Sequence, residues 1–293
     1  MVGANSFLLN FIFHIILLQI RTEFSPDFEN FIRINYGKKA LSDVERLDMG
    51  MAMIGSFGGR SNQTEETYRN PVIFVHGTTT RAGIFLPHRN FFLANGYQEG
   101  ELFATTYSDG GMTGLYQKTM NCEDVKIIRN LIKYVSNYTN SPVDVLGYSM
   151  GTAISRKAIL GGACVDTMEY LGEPLTSLVD TFIGLAGVAY GFESCIWLET
   201  IAPACNLNNG MHCKSKYLDD LNSQPARFEG TTSYSIWSED DHLVGTDCCR
   251  QHCSDLHNAN LTLIRNGNDH ATIVYNTIEL QYKLFSAKND SAI

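Results

Sequence analysis

The stretch "VDVLGYSMGTAIS" (residues 143–155) changes character at its centre. Residues 143–147 read as a short apolar strand, and "MGTAISRKAIL" (150–160) reads as a helix closed by Gly161 and Gly162. Ser149 sits in the turn between them, with Gly147 and Gly151 two positions away on either side. A turn this tight leaves no room for a β-carbon pressed against neighbouring strands. It strains the serine's backbone and lifts its hydroxyl clear at the sheet edge. The helix beginning at Met150 turns its positive end toward any anion formed there. An ordinary turn serine is the competing reading. With glycine near ~7% of residues, the five-residue pattern arises by chance in roughly one chain in ten of this size. The flanking strand and helix therefore carry the argument.

Working outward, the same strand–helix alternation extends in both directions. "PVIFV" (71–75) and "LFATTY" (102–107) are strands, with a short helix "HRNFFLAN" (88–95) between them. Asn121 can cap a helix whose first turn holds Glu123 and Asp124 and whose Val125, Ile128, Leu131 and Val135 share one face. "DTFIGLAG" (180–187), "TTSYSIW" (231–237) and "LTLIR" (261–265) complete about six strands, and Val274, Ile278, Tyr282 and Phe285 mark a last helix. Alternation of this kind predicts an α/β fold, with right-handed crossovers and a mainly parallel sheet flanked by helices. It breaks between about 188 and 230, where Cys195, Cys205 and Cys213 mark a cysteine-rich insert capping the sheet's C-terminal edge. The expected organisation is one domain over 22–293, with residues 22–70 as an extension lying on the core surface.

Composition bounds the class. The 293 residues are 44% hydrophobic and 18% charged, with a net charge of -9, so the chain is globular and has no basic run to meet nucleic acid. "FLLNFIFHIILLQI" (7–20) is too short for a comfortable membrane span. Residues 1–21 read as a signal peptide, with an uncleaved signal anchor as the alternative, since no Lys or Arg precedes the block and no small-x-small site follows it. The eight cysteines (122, 164, 195, 205, 213, 248, 249 and 253) point to disulfides in an oxidising compartment. Free thiols, or a metal site using His212 or His252, are the other readings. Asn62, Asn137, Asn260 and Asn289 each begin an N-x-Ser/Thr triplet, the acceptor pattern for glycosylation in secreted proteins.

A serine hydroxyl needs a base and an acid to orient that base. For a serine on such a turn the chain order is serine, acid, histidine. Of His242, His252, His257 and His270, only His270 falls between the last strand and the last helix. Glu239, Asp240 and Asp241 follow the preceding strand. Asp241 is preferred because it is last in the run and has Leu243 and Val244 behind it to pin the loop, with Asp240 second. Two backbone N–H groups must hold the oxyanion, and these are assigned to Met150 and to Thr78 in the loop "VIFVHGTTT". His76 fits a role in shaping that loop. Phe85, Phe91 and Phe92 suit an acyl site or the core equally.

"NPVIFVHGTTT", "VDVLGYSMGTA", "WSEDDHLVG" and "GNDHAT" together resemble the class 2 triacylglycerol lipases of the α/β-hydrolase superfamily, including nematode lipase-related secreted proteins. The resemblance spans roughly residues 70–285. It implies a secreted serine lipase or esterase acting on acylglycerols or short-chain esters. Ser149, Asp241 and His270 would be catalytic and Thr78 and Met150 would be oxyanion donors, with no cofactor and no metal. The partner would be a lipid or small ester, with or without a lipid interface. A non-catalytic binding protein on the same scaffold, or an acyltransferase, is the alternative. The cysteine-rich insert departs from the small bacterial members of this group.

Overall fold

The computed structural model describes residues 23–50 and 54–286; the leader at 1–21 and the triplet at Asn289 lie outside the described residues. Seven strands form one sheet: β1 (Ser56–Phe57), β2 (Val72–Val75), β3 (Leu102–Thr105), β4 (Val143–Tyr148), β5 (Val179–Leu185), β6 (Thr232–Trp237) and β7 (Leu261–Ile264). Their order is β1-β3-β2-β4-β5-β6-β7, parallel throughout except for the β1–β3 pair. The six expected strands are all present, and β1 is additional.

The central strands are buried on both faces, which is why they are nearly continuous apolar runs. Successive side chains serve two cores. Ile73, Val75, Val143 and Val145 point to one side, where helices Cys122–Thr139 and Met150–Leu160 pack. Val72, Phe74, Leu146 and Tyr148 point to the other, beneath helices Leu86–Ala94 and Ile278–Ser286. Phe85 and Phe92 belong to this second core and Phe91 packs against it, so the three phenylalanines serve packing.

Three expectations need correction. Within 22–70, residues of 24–50 and 54–59 contribute to the core rather than lying on it, whereas none of 60–70 is buried. Ser25 accepts the Phe28 N–H and Pro26 opens helix α1 (Pro26–Asn35), whose Phe28 and Ile32 are fully buried. Helix α2 (Lys38–Glu45) follows, and β1 then pairs with β3. Asn121 precedes its helix, but its side chain does not cap it; Asn121 Oδ1 instead accepts from Thr119 and Asn209. The last helix is split at Thr277, because the Gln281 side chain takes the Val274 carbonyl at 3.1 Å and the Thr277 hydroxyl takes that of Ile273 at 2.6 Å.

All eight cysteines are paired: Cys122–Cys164, Cys195–Cys205, Cys213–Cys249 and Cys248–Cys253. The sulfurs beside His212 and His252 are thus committed to disulfides. Cys213–Cys249 ties the insert to the loop after Asp241. The insert also bonds to the loop after β3, through Ala204 N–H to Tyr116 O (3.0 Å) and Met120 N–H to Asn209 O (2.9 Å). Among the described residues no helix is long and apolar enough to cross a membrane.

Candidate active site

Ser149 follows directly on β4 with φ 56° and ψ -129°, a conformation that costs a non-glycine residue energy and is found at functional sites. Both flanking glycines are required, though by different neighbours. A β-carbon on Gly147 would lie 2.7 Å from Thr152 Cα, in the helix that leaves the turn. One on Gly151 would lie 2.3 Å from the His76 carbonyl oxygen, at the end of β2. Ser149 N–H donates to Leu185 O, and Val188 N–H donates to Ser149 O, both at 3.0 Å. The strained residue is thereby held from both sides.

His270 arrives in the loop after β7. Its Nε2 lies 3.0 Å from Ser149 Oγ, and its Nδ1 lies 2.7 Å from Asp241 Oδ2. This geometry fits the imidazole tautomer that carries its proton on Nδ1 and leaves Nε2 free to accept. Asp241 is buried, and its Oδ1 accepts the Leu243 and Val244 N–H groups at 3.0 and 3.1 Å. The alternative carboxylates turn elsewhere: Asp240 Oδ2 accepts Gly267 N–H at 2.6 Å, and Glu239 Oε2 accepts from Asn266.

The loop after β2 closes over the serine. A β-carbon on Gly77 would sit 2.7 Å from Ser149 Cβ, so only glycine permits this approach. Thr78 follows, and its hydroxyl reaches Met150 Sδ at 3.2 Å. Thr78 and Met150 therefore meet beside Ser149. As the first residue of its helix, Met150 has an N–H with no partner inside the helix.

His76 is buried and does not face the serine. Its Nδ1 donates to Gly77 O at 2.8 Å, its Nε2 accepts Tyr107 N–H at 3.1 Å, and its ring stacks on Tyr107. Burial pushes its pKa down to about 4, against the raising effect of the Gly77 bond. Burial likewise pushes His88 down to about 3. Unfolded histidine titrates near ~6.5, so below that pH the unfolded chain binds protons that the folded chain refuses. Stability is expected to be fully present above pH ~6.5 and to fall as pH drops toward 4, by on the order of 3 kcal/mol for His76 alone. Glu45 opposes this in part. Burial and the neighbouring Glu29 raise it to about 7, so its contribution is lost as pH rises from ~4.5 to 7. Urea melts of Glu45→Gln at pH 7 and 4.5 isolate the histidine part, and equal stability of that variant at the two values would contradict the histidine assignment.

Two contributors escaped the sequence reading. Tyr148, the residue before the serine, points to the opposite face of β4. Its hydroxyl donates to the His270 carbonyl at 3.0 Å and its ring stacks on the imidazole at 5.0 Å. The period-two rule places it there, but nothing in the sequence says that His270 would meet it. Glu193 Oε2 accepts Thr246 N–H at 2.7 Å and Asp247 N–H at 3.2 Å, anchoring the loop that follows Asp241. A groove of about 300 Å³ runs along this side, lined by Trp197, Asp241, His242 and Leu243 among others. The larger cleft by α2, which takes in Asp43, Arg46 and Asp124, contains none of these residues.

Comparison with known proteins agrees with this architecture. Aspergillus fumigatus lipase B superposes with a TM-score of 0.57 at 17% identity, over 79% of this chain and 54% of that one. The mature form of Bacillus licheniformis lipase BlEst2 gives 0.53 at 15% identity, over 78% and 96%. At these identities the likeness is one of fold, and the chain spans only about half the length of the Aspergillus protein. No curated protein matches the chain in sequence. The model of the class 2 lipases, however, matches residues 69–283, most of the chain and every strand of the parallel sheet. The chain therefore belongs to the class 2 lipase family, a family of carboxylic ester hydrolases.

Proposed function

We propose that the protein is a secreted serine lipase or esterase that cleaves carboxylic esters of acylglycerols or short acyl chains through an acyl-enzyme. One observation carries the reading: the continuous hydrogen-bonded line from Asp241 through His270 to Ser149, at 2.7 and 3.0 Å. His270 Nε2 takes the Ser149 proton as Oγ attacks the ester carbonyl. Asp241 holds the imidazole and stabilises its cation. The N–H groups of Thr78 and Met150 receive the oxyanion, at about 3–4 kcal/mol for each donor. His270 then protonates the leaving alcohol. A water deprotonated by the same nitrogen attacks the acyl-enzyme and releases the acid.

Secretion is supported by four disulfides that use every cysteine, a pattern of oxidising compartments. A signal sequence at 1–21 followed by one domain over 22–293 completes the proposal. Trp197 and Leu243, both exposed on the groove beside Asp241, are the apolar side chains we assign to acyl-chain contact.

A fluorophosphonate probe tests the core of the proposal. It is expected to add once per chain, on the peptide containing Ser149, and to block hydrolysis of a p-nitrophenyl ester series whose best member reports acyl preference. Folded protein that takes up no probe would mark a binding module on a hydrolase scaffold.

Tyr148 should matter to this chemistry. Tyr148→Phe keeps the stacked ring and removes the bond to the His270 carbonyl. A bond that strengthens by ~1–2 kcal/mol as His270 becomes a cation in the transition state predicts a kcat about 5- to 30-fold lower. KM and thermal midpoint should move little. A fall in KM-dependent binding with unchanged kcat would assign Tyr148 to packing.

A further inference from the structure

Three of the four N-x-Ser/Thr triplets lie on described residues, and the fold gathers all three at one pole. Asn62 lies in the connection from β1 to β2. Since β1 runs antiparallel to β3, that connection emerges where the parallel strands begin, and Glu65 there accepts Gly100 N–H at 2.7 Å just ahead of β3. Asn137 lies in the last turn of the helix Cys122–Thr139, which delivers the chain to the start of β4. Asn260 precedes β7, and its N–H donates to Ser233 O at 2.8 Å near the start of β6. Ser149 stands at the opposite pole, past the last residue of β4.

The three amides are engaged differently. Asn137 Nδ2 donates to the Tyr36 hydroxyl, tying its helix to the turn between α1 and α2. Asn260 Oδ1 accepts Ser233 N–H at 2.8 Å and an Arg227 N–H, which lays the side chain along the sheet. Asn62 is exposed, as are residues 61, 63 and 64 around it. Its Oδ1 accepts the Thr64 N–H (3.0 Å) and the Thr64 hydroxyl (2.7 Å), both within its own triplet. Its Nδ2 meets the adjacent Ser61 Oγ at 3.3 Å. A sugar on Asn62 Nδ2 therefore displaces no tertiary contact.

We infer that Asn62 is an N-glycosylation site whose glycan stands at the pole opposite Ser149. The inference rests on the secreted reading above. In the transfer, Asn62 Nδ2 attacks the anomeric carbon of a polyisoprenyl-pyrophosphate-linked oligosaccharide. The C–N bond forms as the C–O bond to pyrophosphate breaks. The electron pair leaves with the pyrophosphate, and the amide nitrogen gives up one proton. The placement has a functional side. A hydrated oligosaccharide beside Trp197 and Leu243 would hold a lipid away from Ser149, whereas one on Asn62 adds solvated bulk and leaves the site open.

The test is secretion of the full chain from a eukaryotic host, once with its own N-terminus and once behind an unrelated secretory leader. Oxidised protein is collected and its peptides are mapped after glycosidase treatment in H₂¹⁸O, which marks each occupied Asn as labelled Asp. The Asn62 peptide is expected to carry the label in most molecules, and both Asn62→Gln and Thr64→Ala to remove one glycan's mass. Glycosidase treatment and Asn62→Gln should each leave kcat/KM on a p-nitrophenyl ester within about twofold. Disulfide-bonded, leader-delivered protein with Asn62 unmodified overturns the inference, and a larger change in kcat/KM overturns the placement. If only the form with its own N-terminus fails to reach the medium, the secreted reading falls while the leader-delivered protein still decides Asn62.

Discussion

Ser149→Ala is expected to lower kcat on a p-nitrophenyl ester by on the order of 10⁶-fold, the scale seen when a serine acting in concert with its base is removed. The residual rate should stay above that of water alone, since the loop at Thr78 and the helix at Met150 would still bind the developing oxyanion. The substitution deletes one oxygen from a side chain whose backbone is fixed by Leu185 and Val188. Alanine tolerates the same strained angles no better and no worse, so the thermal midpoint should shift by no more than a few degrees. A folded variant retaining a tenth or more of the wild-type rate would remove Ser149 from the mechanism.

The second large effect separates two adjacent carboxylates. Asp241→Asn is expected to reduce kcat by about 10⁴-fold. The reason lies in the loop. Leu243 and Val244 present two N–H donors to one oxygen of residue 241, so an amide there would keep its carbonyl toward them and turn its NH₂ to His270. The imidazole would then have to accept at Nδ1 and carry its proton on Nε2, facing Ser149, where it cannot act as a base. Asp240→Asn can still accept the Gly267 N–H with its amide oxygen, touches neither His270 nor Ser149, and should stay within about threefold of wild type. Measuring kcat for both variants decides the matter, and the reverse ranking would move the acid to Asp240.

Local pattern made the parallel sheet and the Ser149 turn legible, because buried parallel strands are apolar along their length and the turn has no alternative to its glycines. Chain order and the two apolar residues behind Asp241 pointed to His270 and Asp241, and the fold brings these two into line with Ser149. The start of α1 was also written in the chain, as Ser25-Pro26 with Asp27 and Glu29 in the first turn. It escaped because Phe28 and Ile32 are too few to set a helical period beside a polar face. β1 is two residues long and exists only through its pairing with β3, a contact between distant segments that no local pattern reports. The disulfide pairing and the reach of Tyr148 toward His270 are non-local in the same sense.

The Cys213–Cys249 bond joins the cysteine-rich insert to the loop that fixes Asp241, and Cys248–Cys253 closes that loop beside it. The insert cannot swing like a door on its own hinges: any displacement would pull on the segment that aims the imidazole. In an oxidised chain the insert and the loop behind Asp241 are thus coupled mechanically. Thiol reductants would release the insert from that loop and uncouple the two.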